Sequence, residues 1–217
     1  MAPERCVWHR GKMSSHYFNI IYADPPWQFK LLRPFGPLRQ GQSYDTQRML
    51  PYPSMSTEEI SAIPVAPICD PDCVLFLWAT YPMLPDALKV ISAWGFEFKT
   101  VGFTWVKRTR RDRTFHFGMG YWTRSNPELC LLATRGRPHR ISKRVANLVI
   151  SPLREHSRKP DEVRERIVEL CGDLPRAELF AREKAPGWCA WGNEVSCDFA
   201  LPQAVVASPQ VTGRGID

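Results

Sequence analysis

The sequence of 217 residues has no hydrophobic run long enough for a signal peptide or a membrane-spanning helix. Its seven cysteines do not form paired CxxC motifs at zinc-finger spacing, and its five histidines do not complete a metal site. It also has no early GxGxxG motif, internal repeat or low-complexity tract. These absences argue against a membrane protein, a zinc protein and a dinucleotide-binding enzyme. We therefore expect a cytoplasmic protein with reduced, structural cysteines and no metal.

The composition predicts one folded domain with an acidic partner. Hydrophobic residues make up 44% of the sequence and aromatic residues 12%, which predicts a compact core. The length suits one well-buried domain and is short for two. The net charge of +7 and the pI near 9.2 favour a polyanion as partner, although a modest excess can serve solubility alone.

The order of apolar segments predicts an α/β fold. Apolar strand runs alternate with helices, which is typical of a mostly parallel sheet with helices on both faces. The 73–80 run is apolar throughout and predicts a central, parallel strand. Strands are predicted at 18–24, 73–80, 97–107, 128–134, 176–182 and 188–193, and helices at 56–63, 84–94 and 156–172.

The same patterns divide the chain into three parts. We expect an N-terminal extension over 1–17, a single domain over 18–197 and a flexible tail over 198–217. The long segment 28–54, rich in proline and basic residues, predicts an ordered loop or lid, since loops of this length are uncommon without a function.

The stretch "IIYADPPWQF" at 20–29 ends a buried strand with an acid, two prolines and a tryptophan. Ligands of such sheets bind beyond the carboxyl ends of the strands. Proline fixes φ and lacks an N–H, so we expect rigidly aimed carbonyls that are free to accept. With the Asp24 carboxylate and the flat face of Trp27, these groups suit a planar NH₂-bearing ligand such as a nucleobase. A strand-ending turn with a buried tryptophan is the alternative.

This motif and a series of later segments resemble the MT-A70 family of adenine-N6 methyltransferases, in which Asp-Pro-Pro-Trp follows an apolar strand. The similarity runs from about residue 18 to 194. The segments that carry it are "YPSMSTEEI" (52–60), "LFLWAT" (75–80), "GFTWVK" (102–107), "GMGYWTRSNPELCLLATRG" (118–136), "REHSRKPDEVRERIVELCG" (154–172), "AELFARE" (177–183) and "GWCAWGNE" (187–194). The resemblance implies a single Rossmann-like methyltransferase domain in the permuted (β-class) order, with the catalytic motif first. That order fits the lack of an early GxGxxG.

The resemblance implies that Asp24, Pro25, Pro26 and Trp27 are catalytic. Hydrogen bonds from the adenine N6–H groups to the Asp24 carboxylate and the Pro25 carbonyl would draw the amine lone pair out of conjugation. An unpaired or flipped adenine would stack on Trp27. The position of Tyr52 in the family pattern implies a second wall of this pocket, and an ordinary loop aromatic is the alternative.

The implied cofactor is S-adenosyl-L-methionine, with Asp24 facing its sulfonium cation. Lys159 lies just before a helix N-terminus and is assigned to the methionine carboxylate, with Ser157 assisting. An ordinary solvated lysine is the alternative.

The adenosine half of the donor is assigned by likeness to the family strand "ELFAR". This likeness implies a ribose or base contact for Glu178, a packing contact for Phe180 and a hydroxyl or phosphate-side contact for Arg182. Asn193 and Glu194 would close the ribose pocket. The mRNA-type enzymes have a His-Asn pair shortly after that arginine, whereas Glu183-Lys184-Ala185 follows here, which puts donor contacts at this point in question.

Two basic loops, 107–113 and 135–144, predict a track for nucleic acid. Lysine and arginine would hold phosphates, and interleaved aromatic residues would stack or wedge bases. The substrate-binding residues expected here are Lys107, Arg108, Arg110, Arg111, Tyr121 and Trp122. A solvated basic surface is the alternative.

Together these features predict an N6-adenine methyltransferase that acts on DNA, because the compact chain resembles bacterial and phage members of the family. The same reaction on RNA is one alternative. A non-catalytic nucleic-acid-binding subunit of a methyltransferase complex is another. A dimer or a partner subunit is left open.

Overall fold

The computed structural model describes residues 17–28, 54–118, 120, 122–155 and 158–202. Within these residues one sheet of seven strands is flanked by three α-helices. The strands are β1 (Phe18–Ala23), β2 (Cys69–Ala79), β3 (Glu97–Arg108), β4 (Glu128–Arg135), β5 (Leu148–Pro152), β6 (Arg176–Leu179) and β7 (Cys189–Trp191). The helices are α1 (Thr57–Ser61), α2 (Leu84–Ala93) and α3 (Glu162–Cys171).

The sheet has the strand order β5-β3-β4-β2-β1-β6-β7 and is mostly parallel, as expected. Four pairings are parallel, namely β1 with β2, β1 with β6, β6 with β7 and β3 with β5. The two pairings of β4 are antiparallel. The prediction that the 73–80 run is central is confirmed, but β2 is parallel only to β1 and antiparallel to β4. An apolar run reports burial on both faces and leaves the direction of the neighbouring strand open.

Helices cover both faces of the sheet, which confirms the predicted layering. Ile60 of α1 and Ile91 of α2 join the apolar cluster on one face, and Val163 and Ile167 of α3 join the cluster on the other. Each cluster combines helix residues with alternate residues of the strands, because successive strand side chains point to opposite faces. The two apolar clusters fix the strands from both faces of the sheet. The residues that follow the carboxyl ends of the strands are therefore held in defined positions.

The local signals agree with the structure at the start of α1 and the end of α2, whereas α3 begins at Glu162, later than the start predicted at 156. Ser56 caps α1, its hydroxyl accepting from the Glu59 N–H at 3.1 Å while the Glu59 carboxylate accepts from the Ser56 N–H at 2.7 Å. Gly95 follows α2 with a φ of 81°, a value that favours glycine. β5 was not expected from the sequence. It lies at the edge beside β3, and its alternation of buried and exposed residues covers only five positions.

The termini of the described region and the cysteines differ from expectation. The Phe199 ring packs on that of Phe18 with centroids 5.1 Å apart, so the packed chain extends past the predicted end of the domain at residue 197. Cys189 is disulfide-bonded, which contradicts the expectation of reduced cysteines at that position. The free thiols among the described residues are Cys69, Cys73, Cys130, Cys171 and Cys197. No helix within the described ranges is long and apolar enough to cross a membrane.

Candidate active site

Asp24 lies at the carboxyl end of β1, in the middle of the parallel half of the sheet. Ala23, the residue before it, is in register with Leu77 of β2 and Leu179 of β6. Thr80 and Phe180 therefore follow at the same edge as Asp24. This is the edge at which ligands of doubly wound sheets bind.

The Pro-Pro turn is held by backbone hydrogen bonds. The Trp27 N–H donates to the Pro25 carbonyl at 2.8 Å, and the Met55 N–H donates to the Pro26 carbonyl at 2.8 Å. The Gln28 N–H donates back to the Met55 carbonyl at 3.0 Å. The expectation that both carbonyls are free to accept is therefore wrong, because each already accepts one bond. A carbonyl oxygen has two lone pairs, so each retains one for a ligand.

Trp27 is anchored below this turn. Its side chain is buried, and its indole N–H donates to the Trp78 carbonyl at 2.9 Å. Burying an indole in this way satisfies its polar group and fixes the turn on the core. The structure thus gives Trp27 a supporting role for the Asp24 turn, and stacking of an adenine on Trp27 remains a prediction.

Lys159 is paired with Asp24, across 135 residues of sequence. Its ammonium lies 2.8 Å from the Asp24 Oδ2 and 3.3 Å from the Glu128 Oε2, above the Trp78 ring. Burial alone lowers the pKa of Lys159, but the charges of Asp24 and Glu128 outweigh it and raise that pKa above its ordinary value. Lys159 is therefore not a solvated lysine at a helix start. Its partners among the described residues are the carboxylates of Asp24 and Glu128, and its contact with the methionine carboxylate of the donor stays a prediction.

Glu128 is a member of the site that the sequence reasoning missed. Its other oxygen, Oε1, lies 2.5 Å from the ammonium of Lys107. Burial raises the pKa of Glu128, but Lys159 and Lys107 outweigh this effect and hold the pKa below its usual range. Asp24, Lys159, Glu128 and Lys107 thus form a chain of alternating charges. The available signal was an acid at the start of the apolar run "ELCLLAT", since a carboxylate is seldom buried without a partner.

Lys107 belongs to this internal chain of charges. The sequence pattern instead predicts a place for it in a track for phosphates. Its side chain is only 16% exposed, and its ammonium lies 5.4 Å from the centre of the Trp105 ring. Asn126 fixes the backbone at this point, accepting from the Lys107 N–H at 2.9 Å and donating to the Lys107 carbonyl at 2.8 Å. Two antiparallel strands are thereby clamped where they leave the sheet.

The residues predicted for the adenosine of the donor lie beyond β6 and β7. Phe180 has a φ of 60°, which is rare for a residue with a bulky side chain, and its ring meets that of Trp191 edge-on at 5.6 Å. The Arg182 Nε lies 3.8 Å from the Glu194 Oε1, and Asn193 is exposed beside them. The structure therefore brings these four predicted donor residues, Phe180, Arg182, Asn193 and Glu194, to one edge.

Gly192 makes this edge compact. A Cβ at that position would lie 2.3 Å from the carbonyl oxygen and 2.7 Å from the nitrogen of Ala181. No side chain fits between two backbones at such a distance, so only glycine allows this approach. The close contact sets Asn193 and Glu194 beside Phe180 and Arg182.

Glu178 is paired with a basic residue of α3. Both of its oxygens accept from Arg164 of α3, at 2.7 Å from Nε and 2.8 Å from a terminal nitrogen. Burial raises the pKa of Glu178, and Arg164 only partly offsets this. Glu178 shares a face of the sheet with Tyr22, whose ring Arg164 covers at 5.9 Å. The structure therefore gives Glu178 an ion pair that holds α3 against β6, and its contact with the donor stays a prediction.

The loop between β3 and β4 carries the remaining predicted substrate residues. The Arg108 guanidinium lies 2.5 Å from the Asp112 carboxylate and over the Phe115 ring, so it shapes the loop. Arg110 and Arg111 are exposed, and Trp122 is 91% exposed. Tyr52, Tyr121, Ser157 and most of the 28–54 segment lie outside the described residues.

A cavity of about 650 Å³ lies elsewhere, along α3. Its walls include Arg158, Arg164, Lys184 and Trp188. None of the predicted catalytic residues lines it. Its cations also face the acids of the same cavity, as Arg164 does Asp161 at 2.8 Å. Because the chemistry-bearing groups converge on Asp24, we place the candidate site at the edge of the sheet.

The chain is similar to one protein family and to several individual proteins. A family model described as MT-A70 matches residues 18–194. The Type II methyltransferase M.MunI of Mycoplasma sp is 31% identical over 188 residues, covering 82% of this chain and 78% of that protein. The N(6)-adenosine-methyltransferase catalytic subunit METTL3 of Homo sapiens is 27% identical, covering 88% of this chain and 30% of METTL3. The N(6)-adenosine-methyltransferase MT-A70-like protein of Arabidopsis thaliana is 28% identical, covering 82% and 24% respectively.

Proposed function

The chain belongs to the MT-A70 family of N6-adenine methyltransferases, and we propose that its substrate is DNA. S-adenosyl-L-methionine is the methyl donor of this family and therefore of this chain. The Type II methyltransferase relative favours DNA, and this chain spans 78% of its length. The N(6)-adenosine-methyltransferase relatives favour RNA, but this chain spans only 30% or 24% of the two compared.

The residues at the carboxyl edge fit S-adenosyl-L-methionine in their chemistry. Asp24 and Glu194 supply carboxylates for cationic or hydroxyl groups, and Asn193 supplies an amide. Phe180 and Trp191 supply aromatic faces for an adenine ring. When bound, the donor supplies a methyl group on a sulfonium. The residues named above would bind the donor and orient it.

The observation that carries the proposed mechanism is the fixed carboxylate of Asp24 beside the Pro-Pro turn. One oxygen, Oδ2, accepts from Lys159, and within the part of the chain that the structure describes no hydrogen bond occupies Oδ1, which we assign to the amine. The remaining lone pair of the Pro25 carbonyl is a second acceptor. Two acceptors at the two N6–H bonds of adenine turn the nitrogen lone pair away from the ring. The amine thereby becomes a nucleophile without a strong base.

The Asp24 carboxylate would stabilise the positive charge that develops on the adenine N6 and could accept the N6 proton. With a bound sulfonium donor supplying the methyl group, positive charge would develop on the adenine N6, and the Asp24 carboxylate would stabilise it there. One N6 proton then leaves to Oδ1 of Asp24 or to water, giving neutral N6-methyladenine. Lys159 holds Asp24 in one orientation throughout, and Glu128 holds Lys159.

The intact Asp-Pro-Pro-Trp motif argues against a non-catalytic subunit. Asp24 and Trp27 are both present, and the carboxylate is built into a chain of charged partners. A buried ion pair is weak as a device for stability, because desolvation offsets most of its attraction. Its presence at a ligand-binding edge therefore supports a role in chemistry.

The test is methyl transfer from labelled S-adenosyl-L-methionine to matched DNA and RNA, single- and double-stranded, followed by digestion to nucleosides. We expect labelled N6-methyladenine in DNA, and a loss of at least about a hundredfold with Asp24→Ala. Labelled product in RNA alone would overturn the DNA substrate and retain the reaction. A wild-type chain with no transfer to either polymer, and an unchanged affinity for nucleic acid in the Asp24→Ala variant, would indicate a binding subunit.

A further inference from the structure

The loop that joins β3 to β4 leaves the sheet beside the catalytic motif. β3 ends at Arg108 and β4 begins at Glu128, whose carboxylate reaches the ammonium that holds Asp24. The start of β4 also pairs with the end of β2, Leu129 opposite Ala79. The loop therefore rises from the same edge as Asp24, within reach of a substrate bound there.

The outer part of this loop is a narrow turn with little freedom at its described residues. Gly118 and Ser125 form a β-bridge, and the Gly118 N–H donates to the Ser125 carbonyl at 2.8 Å. A Cβ at Gly120 would lie 1.8 Å from the Thr123 carbonyl oxygen, so only glycine fits. A guanidinium nitrogen of Arg124 also donates to the Phe117 carbonyl at 2.5 Å. These contacts brace the turn without the help of a ligand.

Trp122 projects from this braced turn. It is 91% exposed, whereas Trp78, Trp94 and Trp105 are all within 1% of full burial. An indole left in water adds almost nothing to the stability of the fold. Two other aromatic residues of the same loop, Phe115 and Phe117, are about half exposed.

The loop that carries the exposed indole is also rich in positive charge. Exposed arginines of the same loop are Arg110, Arg111, Arg113 and Arg124. Guanidinium groups and an uncovered apolar side chain on one loop fit the two surfaces of a nucleic acid, its phosphates and its stacked bases. Architectural DNA-binding proteins insert apolar side chains between base steps in this way.

We propose that Trp122 is a wedge that enters the base stack of duplex DNA when the target adenine rotates toward Asp24. This inference rests on the proposed DNA substrate. In a duplex the adenine N6 is paired, so its transfer to the site first requires unpairing and unstacking, at a cost of a few kcal/mol. An indole in the vacated space replaces part of the lost stacking. The contribution of Trp122 to the rate is therefore largest for a target that is both paired and stacked, since a base without a partner leaves the stack at a lower cost.

The test compares two forms of one oligonucleotide, taken from a plasmid segment that the wild type methylates. One is the fully paired duplex, and the other carries an abasic site opposite the target adenine. With labelled donor, Trp122→Ala is expected to lower the rate about 10- to 100-fold on the paired duplex. On the abasic-opposed duplex the loss is expected to be less than about threefold, because that adenine lacks a partner base to leave. Trp122→Phe is expected to restore much of the duplex rate.

The matched control is Phe98→Ala, which removes an aromatic side chain that is 40% exposed near the start of β3, at the other end of that strand. It should change neither rate. A second readout needs no donor: 2-aminopurine at the target position should brighten when the wild type binds the duplex, and not with Trp122→Ala. Equal losses on the two duplexes, or no loss on either, would overturn the wedge. A wild type that methylates RNA alone would instead overturn the DNA substrate, and the wedge with it.

Discussion

The ammonium of Lys159 lies 2.8 Å from the Oδ2 of Asp24. Neither side chain is freely exposed, at 11% for Lys159 and 27% for Asp24. The pairing occupies one carboxylate oxygen of Asp24, Oδ2. The orientation of Asp24 therefore depends on a residue that precedes α3 and lies 135 residues later in the sequence.

Lys159→Gln is expected to lower kcat by about a hundredfold while leaving donor affinity nearly unchanged, since a small displacement of Asp24 costs a factor of that size. Steady-state kcat and KM, with donor Kd from calorimetry, measure the two effects separately. Lys89→Gln, at an exposed ion pair on α2, is the matched control. Weakened donor binding with kcat intact would instead restore the contact with the methionine carboxylate.

Glu128→Gln is expected to move the high-pH limit of methyltransferase activity to a lower pH. Glu128 is one of the two carboxylates that raise the pKa of Lys159, so its removal lowers that pKa. Lys159 must be charged to hold Asp24, so the fall in rate at high pH should begin at a lower pH than in the wild type. The dependence of kcat/KM on pH measures this, with the exposed Glu58→Gln as control. An unshifted alkaline limb would remove Glu128 from the working chain.

Arg164→Met is expected to destabilise the fold by about 3–5 kcal/mol, because it leaves the buried Glu178 carboxylate without its partner. The double variant with Glu178→Gln should recover part of this loss, as measured by urea unfolding in a double-mutant cycle. Donor affinity of Glu178→Gln is the discriminating measurement. If that variant binds the donor poorly at unchanged stability, Glu178 contacts the donor after all.

Gly192→Ala is expected to lower both stability and donor affinity, since the added methyl group meets the backbone of Ala181. Overpacking of this kind costs about 1–3 kcal/mol. Displacement of Asn193 and Glu194 should also weaken donor binding. Gly118→Ala serves as control for donor binding, because its Cβ would meet neighbours at an ordinary 3.6 Å. Normal donor binding in a destabilised Gly192→Ala protein would separate this edge from the donor site.

Arg111→Gln is expected to weaken DNA binding uniformly across sequences and to reduce the slope of log K against log salt by about one. Lys107→Gln should leave that slope unchanged, because Lys107 is paired inside the protein with Glu128. Fluorescence anisotropy over a salt series compares them. Equal changes in slope for the two variants would return Lys107 to the phosphate track.

The sequence by itself determined the layers of the fold and the place of the motif. Apolar runs predicted β1, β2, β3 and β4 within a few residues, and a capping box marked the start of α1, because these signals depend on neighbours in the chain. The Asp-Pro-Pro-Trp motif was recognisable for the same reason. β5 was not predicted, because five residues at the edge of a sheet are too few to show a clear alternation of apolar and polar residues.

Only the tertiary structure decided how the charged residues are used. Lys159, Glu128 and Lys107 come from three separate segments, and their pairing depends on distances across the sheet that no local pattern encodes. A lysine before a helix looks alike whether it meets solvent, a ligand or a buried carboxylate. Burial makes an unpaired charge costly, so these buried charged residues are stable only when the fold brings them together as pairs. Asp24 lies at one end of the resulting series of alternating charges.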